Sequence, residues 1–562
     1  MRRRTFIRAA GLAAGGAALV PGSLWSALTE RSADVVLRGA VVFDGTGAPP
    51  IEADVALAGD RIVAIGRGLS ASGAEVVDLR GLALAPGFID PHAHGEMGLL
   101  INPNAESKIR QGVTTQILGQ DGGSVGIWGD EAYARMRERY RERHGIDIDF
   151  RDLPGYFRRM ERTPASVNVA STIGAGTVRG HVVGNVDRPA TPEELERMVA
   201  LVEEALRAGA CGLSSGLEYT PGAFADLDEL VALSAPLRAW GLPYSSHMRN
   251  EDDQLIAAIE EALNVGQRAG VPVHISHLKA QGERNWWKAE PVLKMLEAAH
   301  EGGLDLTYDR YPYVAYSTGL GSLYPVWARE GGTDAFLGRL HDPEVAPRIE
   351  QAVRDKVAKL GSWDAVQITS TGSDSLAWVR GRRLGELAAE RGEEPYALLE
   401  RIIVEDRNGA GMVGFGMSEE NTERILAHPL GMVCSDGSAL ATTGPLSEGT
   451  PHPRSYGSFP RVLGHYARDR KTFPLETAIH KMSGMVADRF RLEGRGRIVE
   501  GAFADLVAFD PDRVRDTATF EAPHSYPEGI PHVWVNGVAV IRDGEHTGAH
   551  PGRVVRPAAP AL

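Results

Sequence analysis

The feature that most narrows the possible folds is a repeated alternation through the middle of the chain. Short apolar runs, each the length of one strand, are separated by amphipathic stretches of helical period. Eight such runs stand out: Leu84–Ile89, Val113–Leu118, Val167–Ile173, Gly212–Ser215, Pro243–Ser246, Val271–Ser276, Leu304–Asp309 and Gly431–Ser435. Between them lie segments such as TPEELERMVALVEEALRAG, with a Thr cap, Glu three residues on, and apolar residues recurring at helical spacing. Eight strands alternating with helices predict an α/β fold, the (β/α)8 TIM barrel.

The gap between the last two runs is more than about 100 residues, too long for a plain connection. Part of it, 314–360, reads as an inserted cap. Strand-like patterns flank the barrel on both sides, DVVLRGAVVFDGTG and ADVALAGDRIVAIG before it, FADLVAFDPDRV and HVWVNGVAVIRDG after it. The expectation is a small β-sandwich domain built jointly from 34–83 and 494–548, around a barrel spanning 84–493.

A barrel carries its chemistry at the C-terminal ends of its strands. The first run leads into Asp90, His92 and His94, spaced two apart and so on one face of an extended chain. The second leads to Asp121, the fifth to His247, the sixth to His277 and the eighth to Asp436, each in step with the inward residues of its strand. His274 has the opposite parity and reads as structural. Packing gives no reason for imidazole at the same rim position on several strands. Neutral imidazole with carboxylate is a donor set for zinc or a similar divalent ion, so His92, His94, Asp121, His247, His277 and Asp436 are the expected ligands of one or two metals.

Charge and termini exclude other classes. The chain has 562 residues, only 2 cysteines and a formal charge of −14, which argues against a disulfide scaffold and against nucleic acid as a partner. Cys211 and Cys434 lie in apolar runs and read as buried thiols. Residues 1–27 begin with Arg2, Arg3, Arg4 and Arg8 and continue in a weak apolar run too short to span a bilayer. RRTFI resembles a twin-arginine export signal, so a periplasmic or secreted protein is expected, cleaved near Ser26 or Ala27 and without a membrane partner afterwards.

Taken in order, PGFIDPHAH, SSHMRNED, ISHLK, YPY, SDG and PHPRSYGSFPRVLG resemble the amidohydrolase superfamily, and within it the D-aminoacylases. The resemblance runs from about Asp34 to Arg556. It implies that His92 and His94 serve one metal position, that His247 and His277 serve the other, and that Asp436 is the general base. It also implies that Lys279 and Arg454 hold a substrate carboxylate, assisted by Tyr311 or Tyr313. The implied reaction is metal-dependent hydrolysis of an anionic N-acyl amino acid of D configuration. A periplasmic dipeptidase and a non-catalytic metal- or amino-acid-binding protein are the alternatives.

One departure is plain. The family carries a cysteine after the second strand, within Asn-Cys-Gly, where this chain has Gln120-Asp121-Gly122. A carboxylate is a harder ligand than a thiolate, so metal preference is expected to change with it. Related barrels bridge two metals with a carboxylated lysine on the fourth strand, but no lysine occurs between Lys108 and Lys279. The bridge therefore falls to Asp121, or failing that to Glu96 or Glu218.

Overall fold

The computed structural model describes residues 33–559. The export segment expected over 1–27 lies outside the described residues. Among the described residues no helix is long and apolar enough to cross a membrane.

The eight barrel strands pair in parallel and in chain order. Phe88–Asp90 lies against Val113–Leu118, which lies against Asn168–Ser171. The third strand continues as Ile173–Gly174, beside Leu213–Gly216, then Tyr244–His247, Val273–Ile275, Leu306–Arg310 and Gly431–Val433. A parallel bridge between Ala93 and Gly437 joins the end of the eighth strand to the end of the first and closes the ring. Nearly every residue of these strands is buried, as the lack of polar alternation in the apolar runs requires. The helix Pro192–Ala208 begins at the capping box formed by Thr191 and Glu194 and ends at Gly209 in left-handed conformation.

The first predicted run divides. Ala83–Pro86 belongs to the small domain and only Phe88–Asp90 to the barrel. The break is at Gly87, where a Cβ would lie 2.3 Å from the Thr114 side chain and whose N–H turns to the Asp505 carbonyl. A glycine was needed for the chain to pass from one sheet to the other at this spacing.

The two ends of the chain meet in one nine-stranded sheet. Leu506–Phe509 pairs antiparallel with Ala83–Pro86, which joins the C-terminal strands to the N-terminal ones. Val35–Val42 pairs through its first half with Glu75–Asp78 and through its second with Ala83 and Leu84. The small β domain is thus formed by both flanks of the barrel, as expected, and its hydrogen bonds change partners along one bulged strand.

The cap is larger than the sequence pattern indicates. Ala315–Gly319, Gly411–Phe415 and Val366–Ser370 form an antiparallel sheet with Gly411–Phe415 in the middle. The insertion therefore runs on past 360 to Phe415. A boundary at 360 would leave Ala315–Gly319 without its only partner strand. Helices including Ala346–Leu360 and Pro395–Glu405 pack on this sheet around Phe336, Ile349, Ile368 and Leu399.

Candidate metal centre

Backbone pairing at the barrel rim brings the first ligands together. The Asp436 N–H donates to the His92 carbonyl, and the His94 N–H donates to the Gly437 carbonyl. The ends of strands one and eight are laced side by side, so His94 Nε2 lies 3.1 Å from Asp436 Oδ1. On the far side His247 Nδ1 is 2.8 Å from His277 Nε2. Asp121 stands between the two groups. Its Oδ1 is 3.3 Å from His92 Nε2, 3.3 Å from His277 Nε2 and 3.5 Å from His247 Nδ1, and its Oδ2 is 3.5 Å from His94 Nε2.

The structure thus gathers all six expected ligands into two overlapping sets, His92–His94–Asp121–Asp436 and Asp121–His247–His277, with Asp121 common to both. The donor atoms of each set lie within 4.8 Å of one another. Both ring nitrogens of His92 and Nε2 of His247 are buried without a hydrogen-bond partner among the described residues. Orphaned imidazole nitrogens beside converging carboxylates are the donor arrangement that a divalent ion satisfies.

Three of these residues are held in left-handed backbone: Asp121 at φ 55°, His277 at φ 35° and Asp436 at φ 46°. Such conformations are uncommon away from glycine and cost about 1–3 kcal/mol each. Here they turn each side chain back over the barrel mouth as its strand ends. Room for the Asp121 turn comes from Gly216 on the fourth strand, where a Cβ would sit 2.0 Å from the Asp121 carbonyl oxygen. The loop carrying the shared carboxylate rests where a side chain of strand four would otherwise project.

Burial opposes charge on every group here, and the clustered opposite charges overcome it. Against burial, hydrogen bonds that His94 donates to Asp121 and Asp436 raise it to about 9. Against burial, Asp121 chiefly raises His247 to about 10. Asp121 and Asp436 are held well below the usual carboxylate range, Asp121 by His92 first and Asp436 by Arg454 first. Without metal, His94 and His247 are imidazolium at neutral pH beside ionised Asp121 and Asp436.

Two carboxylates behind the ligands escaped sequence reasoning. Glu251 Oε1 lies 3.0 Å from His277 Nδ1, a nitrogen that Lys279 Nζ also approaches at 2.7 Å, so both groups orient the ring from behind. Asp309 accepts from the His277 N–H at 2.6 Å, bonds His274 Nε2 at 2.8 Å, and stands 3.6 Å from His92 Nδ1. That places His274 one step behind the centre. Glu251 follows His247 in the same motif, RNED, and only its position in a loop without strand periodicity concealed it.

Two sequence expectations need correction. Asp90 does not face the ions: it is fully buried and accepts from Lys108 Nζ at 3.0 Å and from Ser435. The strand ends at Asp90, so the alternation that places His92 and His94 does not extend back to it. Tyr313 is also elsewhere, with its hydroxyl donating to Asp516 and its ring against His452. Of the two expected tyrosines, Tyr311 is the one at the site, buried, with a hydroxyl that has no partner among the described residues. Lys279 and Arg454 both reach the Tyr311 ring, at 5.7 Å and 4.9 Å from its centroid. Each is engaged by a carboxylate, Lys279 by Glu251 at 2.5 Å and Arg454 by Asp436 at 2.6 Å.

Residues 75–541 match the Amidohydrolase family. The chain is 39% identical to a D-aminoacylase of Alcaligenes xylosoxydans xylosoxydans over 522 residues, 93% of this chain and 97% of that one. A solved D-aminoacylase, described by its binuclear metal centre, has 37% identity and a TM-score of 0.78, covering 93% of this chain and all of that one. An N-acyl-D-glutamate deacylase from Bordetella bronchiseptica, solved with zinc and a phosphonate that mimics the tetrahedral intermediate, has 32% identity and the same TM-score, with 93% of this chain and all of that one covered.

Proposed function

This chain belongs to the amidohydrolase family, and on that premise we propose that it hydrolyses the amide bond of N-acyl-D-amino acids, releasing a carboxylate and a free amino acid. It is a metal-dependent hydrolase, and zinc is the ion that its solved relative holds. The observation that carries the reading is the single carboxylate of Asp121 shared by two histidine pairs, with Asp436 beside one of them.

In this reading His92, His94, Asp121 and Asp436 would hold one ion, and Asp121, His247 and His277 would hold the other. When bound, a zinc ion lowers the pKa of a water molecule to about 7 and polarises a carbonyl oxygen. Asp436 is the base that takes the proton, and it returns that proton to the departing amine, which leaves poorly without it. Arg454 keeps Asp436 ionised for the first of these steps. Tyr311 offers its free hydroxyl to the substrate carboxylate, with Lys279 and Arg454 supplying positive charge on either side of the ring.

Metal-reconstituted protein is expected to release amine from N-acetyl-D-amino acids, with little from the L series and little from dipeptides. Ligand binding without turnover in a coupled amine-release assay would refute the proposal. We also propose that the protein works outside the cytoplasm. The support is the basic cluster and apolar run over 1–27. Fractionation of cells expressing the full chain, with the mature N-terminus sequenced, tests it, and an intact Met1 in the cytoplasm would refute it.

A further inference from the structure

Two cavities meet at the metal centre and share Asp121, Tyr219 and Asp436 in their walls. The inner one has a volume of about 30 Å³ and is lined by Asp121, His247 and His277 as well as by Lys279 and Tyr311. An ion held by that histidine pair fills it, so a carboxylate is met at its mouth, where Arg454 lies 4.9 Å from the Tyr311 ring centroid. The outer one is about 480 Å³, far beyond what an acetyl group fills. Its metal-facing side carries His94, Asp121, Asp436 and Arg454, so the carboxylate clamp stands at the junction of the two cavities, and Met97, Val125, Trp128 and Met136 give the far side an apolar wall. Glu96 also borders it, but its carboxylate is turned to the backbone, accepting from the Gly119 N–H at 2.8 Å.

The apolar wall is built and only partly covered. Trp128 rests against Phe150 with ring centroids 5.8 Å apart. The helix Asp130–His144, which supplies Met136, has no fully buried residue, so its inner face is still half open to the cavity. A planar trans amide sends its acyl arm and its amine arm to opposite sides of the bond. The amine arm carries the carboxylate and turns toward Tyr311, which leaves the acyl arm facing the outer cavity.

We propose that Met97, Val125, Trp128 and Met136 form an acyl-selecting recess, and that the preferred substrates carry medium-length or aromatic N-acyl groups rather than acetyl. The proposal rests on the deacylase reading above and adds the substrate class to it. Burying one methylene contributes about 0.8 kcal/mol, or about fourfold in kcat/KM.

The test uses the zinc-loaded full-length protein and two substrate series. One lengthens the acyl group from acetyl to octanoyl on a single D-amino acid; the other keeps acetyl and enlarges the side chain. The expected result is a rise of about fourfold per methylene along the acyl series until the recess is full. Met136→Gln, a change on a surface helix, and Trp128→Ala should each cut the octanoyl-to-acetyl ratio by more than tenfold. Turnover of the acetyl substrate with no dependence on acyl length overturns this proposal and spares the deacylase reading. Variants that act on the side-chain series instead also overturn it, by giving the recess to the other arm. Failure to hydrolyse any N-acyl amino acid removes the deacylase reading and this proposal with it.

Discussion

Ring nitrogens of four histidines lie within 3.5 Å of the Asp121 carboxylate, so deleting its charge leaves four imidazoles facing one another. Asp121→Ala should lose at least one equivalent of metal by elemental analysis, and Asp121→Cys, which offers a thiolate, should keep it. Asp436→Asn should lower kcat by about 10²–10⁴, the range for a lost general base, with at least one metal per chain retained on the His247–His277 side. Glu251→Gln tests a residue that backs His277 and also engages Lys279, and metal affinity should fall about 10–100-fold with the fold intact by circular dichroism. The histidines and the two ligand aspartates were legible in the sequence because they recur at or just past the C-terminal ends of successive strand runs. Asp309 and Glu251 were not, since a carboxylate that orients a ligand from behind needs no particular spacing along the chain. Asp90 shows the limit of parity, which holds only while the chain stays extended.

Among the elements, the cap is tied to the barrel by charge. Lys356 on the helix Ala346–Leu360 donates to Asp252 at 2.8 Å, and Lys359 lies 3.0 Å from Asp253, both acids belonging to the loop after the fifth barrel strand. The Lys359–Asp253 pair is partly exposed and individually weak, whereas Asp252 is buried, and together the two pairs hold the cap helix over the inner cavity. The double substitution Lys356→Ala, Lys359→Ala should raise KM several-fold with a smaller change in kcat, and speed proteolysis in this helix. The alternation of strands and helices was readable because its periodicities differ. The extent of the cap was not, because Gly411–Phe415 finds its partners across an insertion whose own pattern resembles the barrel around it.

At the scale of the molecule, metal and protons compete for one site. His94 and His247, raised to about 9 and about 10, are protonated in the metal-free protein at neutral pH. Metal needs their lone pairs, so loading must expel those protons, and apparent affinity should climb about tenfold per pH unit for each proton displaced until about pH 9. Calorimetric titration in buffers of different ionisation enthalpy measures the count, and an uptake of protons would contradict it. The sign for metal-free stability is the reverse. Raised histidines contribute fully below about 6.5, and that contribution is lost as pH rises through 9 to 10.

The sheet shared by both ends of the chain has a consequence in time. Arg61 donates to the carbonyl of Gly501, 440 residues further on. At bacterial and eukaryotic synthesis rates that distance is roughly twenty to ninety seconds of translation. Throughout that interval Ala83–Pro86 waits on the ribosome with an open edge, and a message broken late yields a polypeptide that never seals it.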